Sequence, residues 1–539
     1  MKKPFAITLD PGSSLANHTG SWRTERPVYV DRLPPCNHAC PAGEDIQGWL
    51  YHAEGGEYRK AWESLMKNNP FPAIMGRVCY HPCEGACNRG KLDESVGIHA
   101  VERFLGDEAI RRRWLPEVTA EPSGRHVLVV GSGPSGLSCA YHLRLMGHQV
   151  VIMEAESRAG GMMRYGIPQY RLPRDVLDAE ISRIASMGVE IRLNAKVADI
   201  MDVIEGYDAA FLAVGAHIAK RAYIPAGDAS RIIDAVSLLH GMEENSATLL
   251  GKRVVVYGGG NTAIDAARTA KRLGAEEPLI VYRRTRERMT AHESELQEAI
   301  EEGIRFKWLG TVKRMEEGSI TVEKMILDDA GFPQPTGEFE TIGADSLVLA
   351  LGQESELDLL KSVPDIETAN GSVKVDSSMM TNHPGIFAGG DMVPSEKTVT
   401  AGIGHGKKAA RNIDAWLRNE KFSPPEKHEI ASFDMLNTWY YSDAPKIRQK
   451  ALDLARRQST FEEVIHGLSE ENALFEARRC LSCGNCFECD NCYGVCPDNA
   501  VIKLGPGSRF RFNYDFCKGC GLCAAECPCG AIQMVPESI

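Results

Sequence analysis

Residues 124–156 read "GRHVLVVGSGPSGLSCAYHLRLMGHQVVIMEAE", and this stretch decides the fold class. Val127–Val130 is apolar and rich in β-branched side chains, as a buried parallel strand requires. It runs into Gly131-Ser-Gly133-Pro134-Ser135-Gly136, then a helical pattern, then a second apolar strand ending at Glu154. In such a strand–turn–helix the glycines let the backbone approach a pyrophosphate at the helix N-terminus. An acid some twenty residues on can bind ribose hydroxyls. A dinucleotide site is therefore expected here, with Gly131, Gly133, Pro134, Ser135, Gly136 and Glu154 against the ligand. Cys139 falls within the helix and reads as a small buried side chain.

A second copy follows at residues 251–293, "GKRVVVYGGGNTAIDAARTAKRLGAEEPLIVYRRTRERMTAHE". Gly258, Gly260, Asn261 and Thr262 occupy the turn, and Ala263 replaces the third glycine. No acid closes the second strand; Arg283 and Arg284 stand there instead. An acid would repel a 2′-phosphate, whereas guanidinium groups bind one through charge-assisted hydrogen bonds. That favours NADP(H) and leaves NAD(H) open, with one arginine of the pair free to be a solvated surface charge.

Two dinucleotide folds in one chain suggest a flavin paired with a nicotinamide cofactor. Downstream, "TNHPGIFAGGDMV" places Gly390 and Asp391 after an apolar strand, and "TVTAGIGHGKKAARNID" opens a helix. Here the chain resembles the pyridine nucleotide–disulfide oxidoreductase-like flavoproteins. The resemblance implies that Asp391 holds the FAD ribityl chain, that the next helix points its N-terminus at the isoalloxazine ring, and that the nicotinamide domain is inserted into the FAD domain. No CxxxxC redox disulfide is present, so electrons must leave the flavin by another route.

Cysteine supplies that route. Of seventeen cysteines, five lie between Cys36 and Cys87, eleven after residue 479, and Cys139 between them. No secretory signal is expected, because no apolar segment follows the lysines of "MKKPFAITLD", and no apolar run reaches the ~18 residues of a membrane span. The expected compartment is the cytoplasm, where clustered cysteines read as metal ligands rather than disulfides. The net charge of -12, without a basic block, argues against nucleic acid as a partner.

"CFECDNCYGVCPDNAV" (486–501) and "CKGCGLCAAECPCGAI" (517–532) repeat C-x2-C-x2-C-x3-C-P. In this bacterial ferredoxin pattern the fourth cysteine of each run serves the other cluster. One cluster takes Cys486, Cys489, Cys492 and Cys527, the other Cys517, Cys520, Cys523 and Cys496; zinc ribbons are the weaker alternative. Cys529, Cys480 and Cys483 are left over.

At the other end the spacings are Cys36-x3-Cys40-Pro and Cys79-x3-Cys83-x3-Cys87. Together with "GRVCYHPCEGAC", "AGGMMRYGIPQYRLP" (which contains Gly161, counted with the FAD site) and "YRRTRERM", this region resembles the small subunit of bacterial glutamate synthase and the N-terminal half of dihydropyrimidine dehydrogenase. The resemblance implies a helical domain with two [4Fe-4S] clusters, one having a Gln or Glu as its fourth ligand, for which "SVGIHAVERFL" offers Glu102. It also implies a CxxC before Cys36, which is missing; the nearest equivalent is "RRCLSC", at Cys480 and Cys483. If that pair returns to the N-terminal domain, every cysteine but Cys139 and Cys529, with Glu102, makes sixteen ligands for four clusters. The simpler alternative leaves one N-terminal cluster and a spare pair.

The expected fold is α/β, with two Rossmann-like domains, an α-helical N-terminal iron–sulfur domain and a C-terminal α+β ferredoxin-like domain. The expected boundaries are 30–117 for the helical domain, 124–235 and 356–425 for FAD, 236–355 for NAD(P)H, 426–476 for a helical linker and 477–539 for the ferredoxin. The expected activity is transfer of electrons between NAD(P)H and a ferredoxin or partner enzyme, such as a 2-oxoacid:ferredoxin oxidoreductase, within a hetero-oligomeric complex. The alternatives are a glutamate synthase small subunit feeding a separate large subunit, and a non-catalytic metal-binding scaffold. No catalytic side chain is assigned, because the cofactors carry the chemistry.

Overall fold

A computed structural model describes residues 18–537, except 22, 221, 227–230, 245 and 247–248. Two five-stranded sheets form its centre. In the first, the strands run in the order Ile386–Ala388, Ala209–Leu212, His126–Val130, Gln149–Met153, Glu190–Arg192, all parallel. The apolar runs fill its middle: Val127, Leu128, Val129, Phe211 and Leu212 are fully buried. In the second, the order is Arg305–Trp308, Leu279–Tyr282, Val254–Tyr257, Ser346–Leu349, Ile232–Asp234, again parallel. Parallel strands need crossovers on the sheet faces, which accounts for their near-continuous apolar character.

The chain passes from the first sheet to the second and back at Ile218–Ala219 and Gln353–Glu354, which pair antiparallel. The inserted domain therefore begins earlier than expected. Ile232–Asp234, assigned from sequence to the FAD unit, pairs with Ser346–Leu349 in the nicotinamide sheet. A three-residue strand carries too little pattern to be separated from the helix Ala235–Glu243, which its own Asp234 caps.

The helical N-terminal unit packs on the FAD domain without a gap: Trp62, Phe71, Ile74 and Met75 share one apolar core with the first sheet. Within it, Pro72–Val78 crosses Ile98–Arg111 at Gly76 and Gly106, where a Cβ would meet Arg103 Cβ at 2.3 Å and Ala73 N at 2.2 Å. Two backbones this close leave no room for a side chain.

Residues 426–476 correct the expectation of a helical linker. They are mostly irregular, with helices at Leu454–Ser459 and Glu470–Ala477 beside two short 3₁₀ turns. Charged residues there pair with other domains rather than along a helix face: Glu463 with Arg77 and Arg103, and Arg457 with Glu301 and Glu302. The ferredoxin unit also takes in more chain than expected. Glu25–Tyr29, before the first expected domain, pairs antiparallel with Ile532–Pro536, so the two ends of the protein share a sheet.

Candidate active site and metal centres

One cleft of about 1630 Å³ lies between the two sheets. Gly131, Gly133, Pro134, Ser135, Glu154, Gly161, Gly390 and Asp391 line it from the FAD side, and Gly260, Asn261 and Thr262 from the nicotinamide side. Gly131 has φ +101°, and a Cβ there would meet Ala213 O at 2.5 Å; Gly258 has φ +154°, and a Cβ would meet Ala350 O at 2.2 Å. Each loop thus needs glycine because the neighbouring strand end presses on it. A Cβ at Gly133 would meet nothing within 4 Å, so this backbone faces open space at the start of Pro134–Leu145, the kind of helix N-terminus that suits a pyrophosphate. Glu154 is buried and fixes the loop: its Oε2 accepts from Ser132 N at 2.8 Å and Ser132 Oγ at 2.5 Å, its Oε1 from Glu156 N at 2.9 Å.

Gly390 has φ +72° and packs on Ser135, which places Asp391 beside the first loop; burial raises that carboxyl above its ordinary range. The helix Val399–Leu417 follows, its N-terminus capped by Thr398, with Val399 and Gly402 on the cleft. This donor set (free backbone, carboxylates and a helix N-terminus around an extended cavity) fits a flavin dinucleotide. In the second loop Asn261 Oδ1 accepts from His292 N at 2.8 Å. Arg283 is exposed at the end of Leu279–Tyr282, and Arg284 has a buried Nε with no hydrogen-bond partner; neither has an ion pair among the described residues, and neither lines the cleft.

The expected metal ligands gather into four sets. Cys36, Cys87, Cys480 and Cys483 line one small cavity with Leu50, Val96 and Leu481. Burial pushes the Cys36 thiol up, and Cys480, Cys87 and Cys483 push it further, as negative groups crowded together must. The returning pair is clamped in place. Ala473 and Ala477 enter the helical core, Glu476 accepts from Gly97 N at 2.7 Å, and Arg479 donates to Ser95 O at 3.0 Å and Glu94 O at 2.7 Å. The second set is Cys40, Cys79, Cys83 and Glu102: burial and then Glu102 raise Cys79 to about 12, while burial and then Cys79 and Cys40 raise Cys83. Glu102 is itself buried, held by Asn69 Nδ2 at 2.7 Å.

In the ferredoxin unit, burial, a hydrogen bond with Tyr29, and the neighbours Cys486, Cys489 and Cys527 set the Cys492 thiol, which is raised to about 11. Burial and then Cys517, Cys520 and Cys496 raise Cys523 to about 12. Cys527 thus stands among the neighbours of the first repeat's Cys492, and Cys496 among those of the second repeat's Cys523. Cys139 is fully buried and outside every set; Cys529 is buried with its Sγ 3.8 Å from that of Cys527. Among the described residues, two groups of three potential ligands lie within 4.8 Å of one another, His81/Glu84/His99 and Glu156/His240/Glu244, and neither contains cysteine. Tetrahedral zinc would hold its sulfurs about 3.8 Å apart. The wider cysteine sets fit a polynuclear cluster.

Four family models match parts of the chain: Dihydropyrimidine dehydrogenase domain II, 4Fe-4S cluster, over residues 24–114; NAD(P)-binding Rossmann-like domain over 129–188; Pyridine nucleotide-disulphide oxidoreductase over 202–406; and 4Fe-4S binding domain over 510–533. The NADP(+)-dependent formate dehydrogenase subunit beta of Moorella thermoacetica is 35% identical over 83% of this chain and 70% of its own. The NADPH-Fe(3+) oxidoreductase subunit beta of Geobacter sulfurreducens is 32% identical over 84% and 76%, and the Glutamate synthase [NADPH] small chain of Escherichia coli 32% over 71% and 89%. The chain belongs to the glutamate synthase small-chain-like family of FAD and iron–sulfur oxidoreductases.

This family member is thus an NAD(P)H-dependent oxidoreductase with FAD and [4Fe-4S] cofactors, not a scaffold. Among its described residues no helix is long and apolar enough to cross a membrane. Two residues beside its cysteine sets escaped the sequence reading. Glu44 is a second buried carboxylate near Cys40; Asn69 Nδ2 donates to it at 2.9 Å and Trp49 Nε1 at 3.2 Å, and burial raises it to about 7. Its position four residues after Cys40 was the only available signal. Thr400 donates from Oγ1 to Cys79 Sγ at 3.1 Å, and nothing in the sequence marks that pairing.

Proposed function

We propose that this chain moves electrons between NADP(H) and a partner redox protein through FAD and four [4Fe-4S] clusters. FAD, when bound, exchanges hydride with nicotinamide and single electrons with iron–sulfur clusters, and so joins two-electron to one-electron chemistry. The chain's residues bind and orient. Gly131, Gly133, Pro134, Ser135, Gly136 and Gly161 offer backbone to the FAD pyrophosphate, and Glu154, Gly390 and Asp391 hold its ribose and ribityl ends. Gly258, Gly260, Asn261 and Thr262 hold the nicotinamide cofactor, and Arg283 and Arg284, outside the cleft at the end of Leu279–Tyr282, meet a 2′-phosphate that projects beyond it. The clusters take the four sets described above, Glu102 being the carboxylate ligand of the second.

The observation that carries this reading is the wall of the cleft. Val78 and Tyr80 line it, so Cys79, between them in sequence, sits directly behind the dinucleotide site. A cluster there adjoins the flavin site, and the ferredoxin unit at the chain ends is the outlet. The relatives' names, two beta subunits and a small chain, support a hetero-oligomeric complex. We place this chain as its nucleotide-linked arm, in a compartment that keeps thiols reduced. The partner would be a ferredoxin or a 2-oxoacid:ferredoxin oxidoreductase-like core. A glutamate synthase role has less support, because this chain carries a 4Fe-4S binding domain at residues 510–533 and the match to that small chain covers only 71% of this chain.

The test is anaerobic reduction of a clostridial-type ferredoxin by NADPH with the purified, cluster-loaded chain. Ferredoxin reduction, or the reverse reduction of NADP+ by reduced ferredoxin, is expected. Turnover with a dye but with ferredoxin in neither direction would reject the acceptor. Purification of the native complex identifies the partner subunits.

A further inference from the structure

One helix serves both the cleft and a cysteine set. Along Val399–Leu417, Val399 and Gly402 line the cleft, while Thr400, Gly404 and Lys407 recur at the spacing of a single helical face. That second face lies on the loop carrying Cys40 and on Cys79. A Cβ at Gly404 would meet Pro41 O at 2.2 Å, Lys407 Nζ donates to Gly43 O at 3.1 Å and Asn68 Oδ1 at 3.0 Å, and Thr400 Oγ1 donates to Cys79 Sγ at 3.1 Å. Thr400 is 5% exposed, so water cannot replace its hydroxyl. Cys79 Sγ also accepts from His81 N at 3.2 Å, but that donor belongs to the cysteine's own loop. Thr400 is the donor sent across from the flavin domain.

We infer that Thr400 is a positioning residue that sets the reduction potential of the cluster nearest the cleft, through its hydrogen bond to Cys79. The inference rests on the reading of Cys79 as a cluster ligand. Taking up one electron adds one negative charge to a cluster and its thiolates, and a hydrogen bond to a thiolate stabilises the more negative state. The hydroxyl therefore raises the potential of this cluster and eases its acceptance of an electron from the cleft. Removing it makes the cluster a poorer acceptor without touching a ligand or a dinucleotide contact.

The experiment is a dithionite potentiometric titration of the fully loaded protein, followed by electron paramagnetic resonance. Cys83→Ala identifies the relevant signal by deleting it. Thr400→Val keeps shape and removes the donor; it should lower the reduced-to-oxidised ratio of that signal about tenfold at a fixed potential, a shift of about 59 mV for one electron. Thr400→Ser should restore the wild-type midpoint, and Thr400→Ala provides the same reading if the valine variant assembles poorly. A midpoint unchanged in Thr400→Val, or shifted equally in every cluster, overturns the inference alone. If Cys83→Ala retains every cluster signal, the ligand reading fails and takes the inference with it.

Discussion

Replacing both Cys480 and Cys483 by serine probes the return of the chain's far end to its beginning. In the folded protein this pair faces Cys36 and Cys87 across one small cavity. Without it only two thiolates remain there, too few to hold a cubane. A four-cluster protein carries about sixteen irons, so the double variant should lose about four, one quarter. The loss should stay local. The helix Glu470–Ala477 would still be held by Glu476 and Arg479, and the Glu25–Tyr29 strand would still pair with Ile532–Pro536. Iron and acid-labile sulfide per flavin, read beside the resonance spectrum of the dithionite-reduced protein, give the count. The expected result is three-quarters of the iron, full flavin and unchanged ferredoxin signals. Full iron content in the double variant would refute the reasoning and leave the pair spare.

Three further outcomes are expected. Arg283→Ala with Arg284→Ala should raise the KM for NADPH more than tenfold, the cost of roughly 1.5–3 kcal/mol for a lost charged hydrogen bond, and leave that for NADH unchanged; a wild type that already prefers NADH would contradict it. Asp391→Ala should weaken FAD retention on gel filtration with iron near normal, whereas retained flavin with lost NADPH binding would mean that the two sites are reversed. Truncation at residue 476 should leave about one cluster, that of Cys40, Cys79, Cys83 and Glu102, because the cut removes both ferredoxin sets and half of the shared one; an iron content near half would argue for two self-sufficient N-terminal clusters.

What was legible in the sequence was local or countable. Gly131 and Gly258 announce their loops because each needs a positive φ beside a neighbouring strand, a constraint no other residue meets cheaply. The expectation of crossed ferredoxin ligands comes from a repeat, and that of the returning Cys480 and Cys483 from the CxxC that the family resemblance implies before Cys36 and this sequence lacks, with the tally of ligands in agreement. What was not legible depends on distant packing. Glu25–Tyr29 has one buried residue in five, so its pairing with Ile532–Pro536 leaves no periodic trace. Ile232–Asp234 is too short to separate from the helix it feeds. The linker expected to be helical is mostly irregular because it is held by distant partners: Glu463 pairs with Arg77 and Arg103, and Arg457 with Glu301 and Glu302. Glu44 and Thr400 gain their meaning only when Asn69 and Cys79 are brought against them.

The central claim is that nicotinamide, flavin and clusters form one electron path through a single cleft. Anaerobic titration of the loaded protein with NADPH, followed at once by visible absorbance and electron paramagnetic resonance, tests it most directly. Bleaching of the flavin band together with the rise of reduced-cluster signals, in proportion to NADPH added, is the predicted result. A flavin that bleaches fully while the clusters stay oxidised at excess NADPH, yet reduce with dithionite at a potential within reach of NADPH, would contradict it.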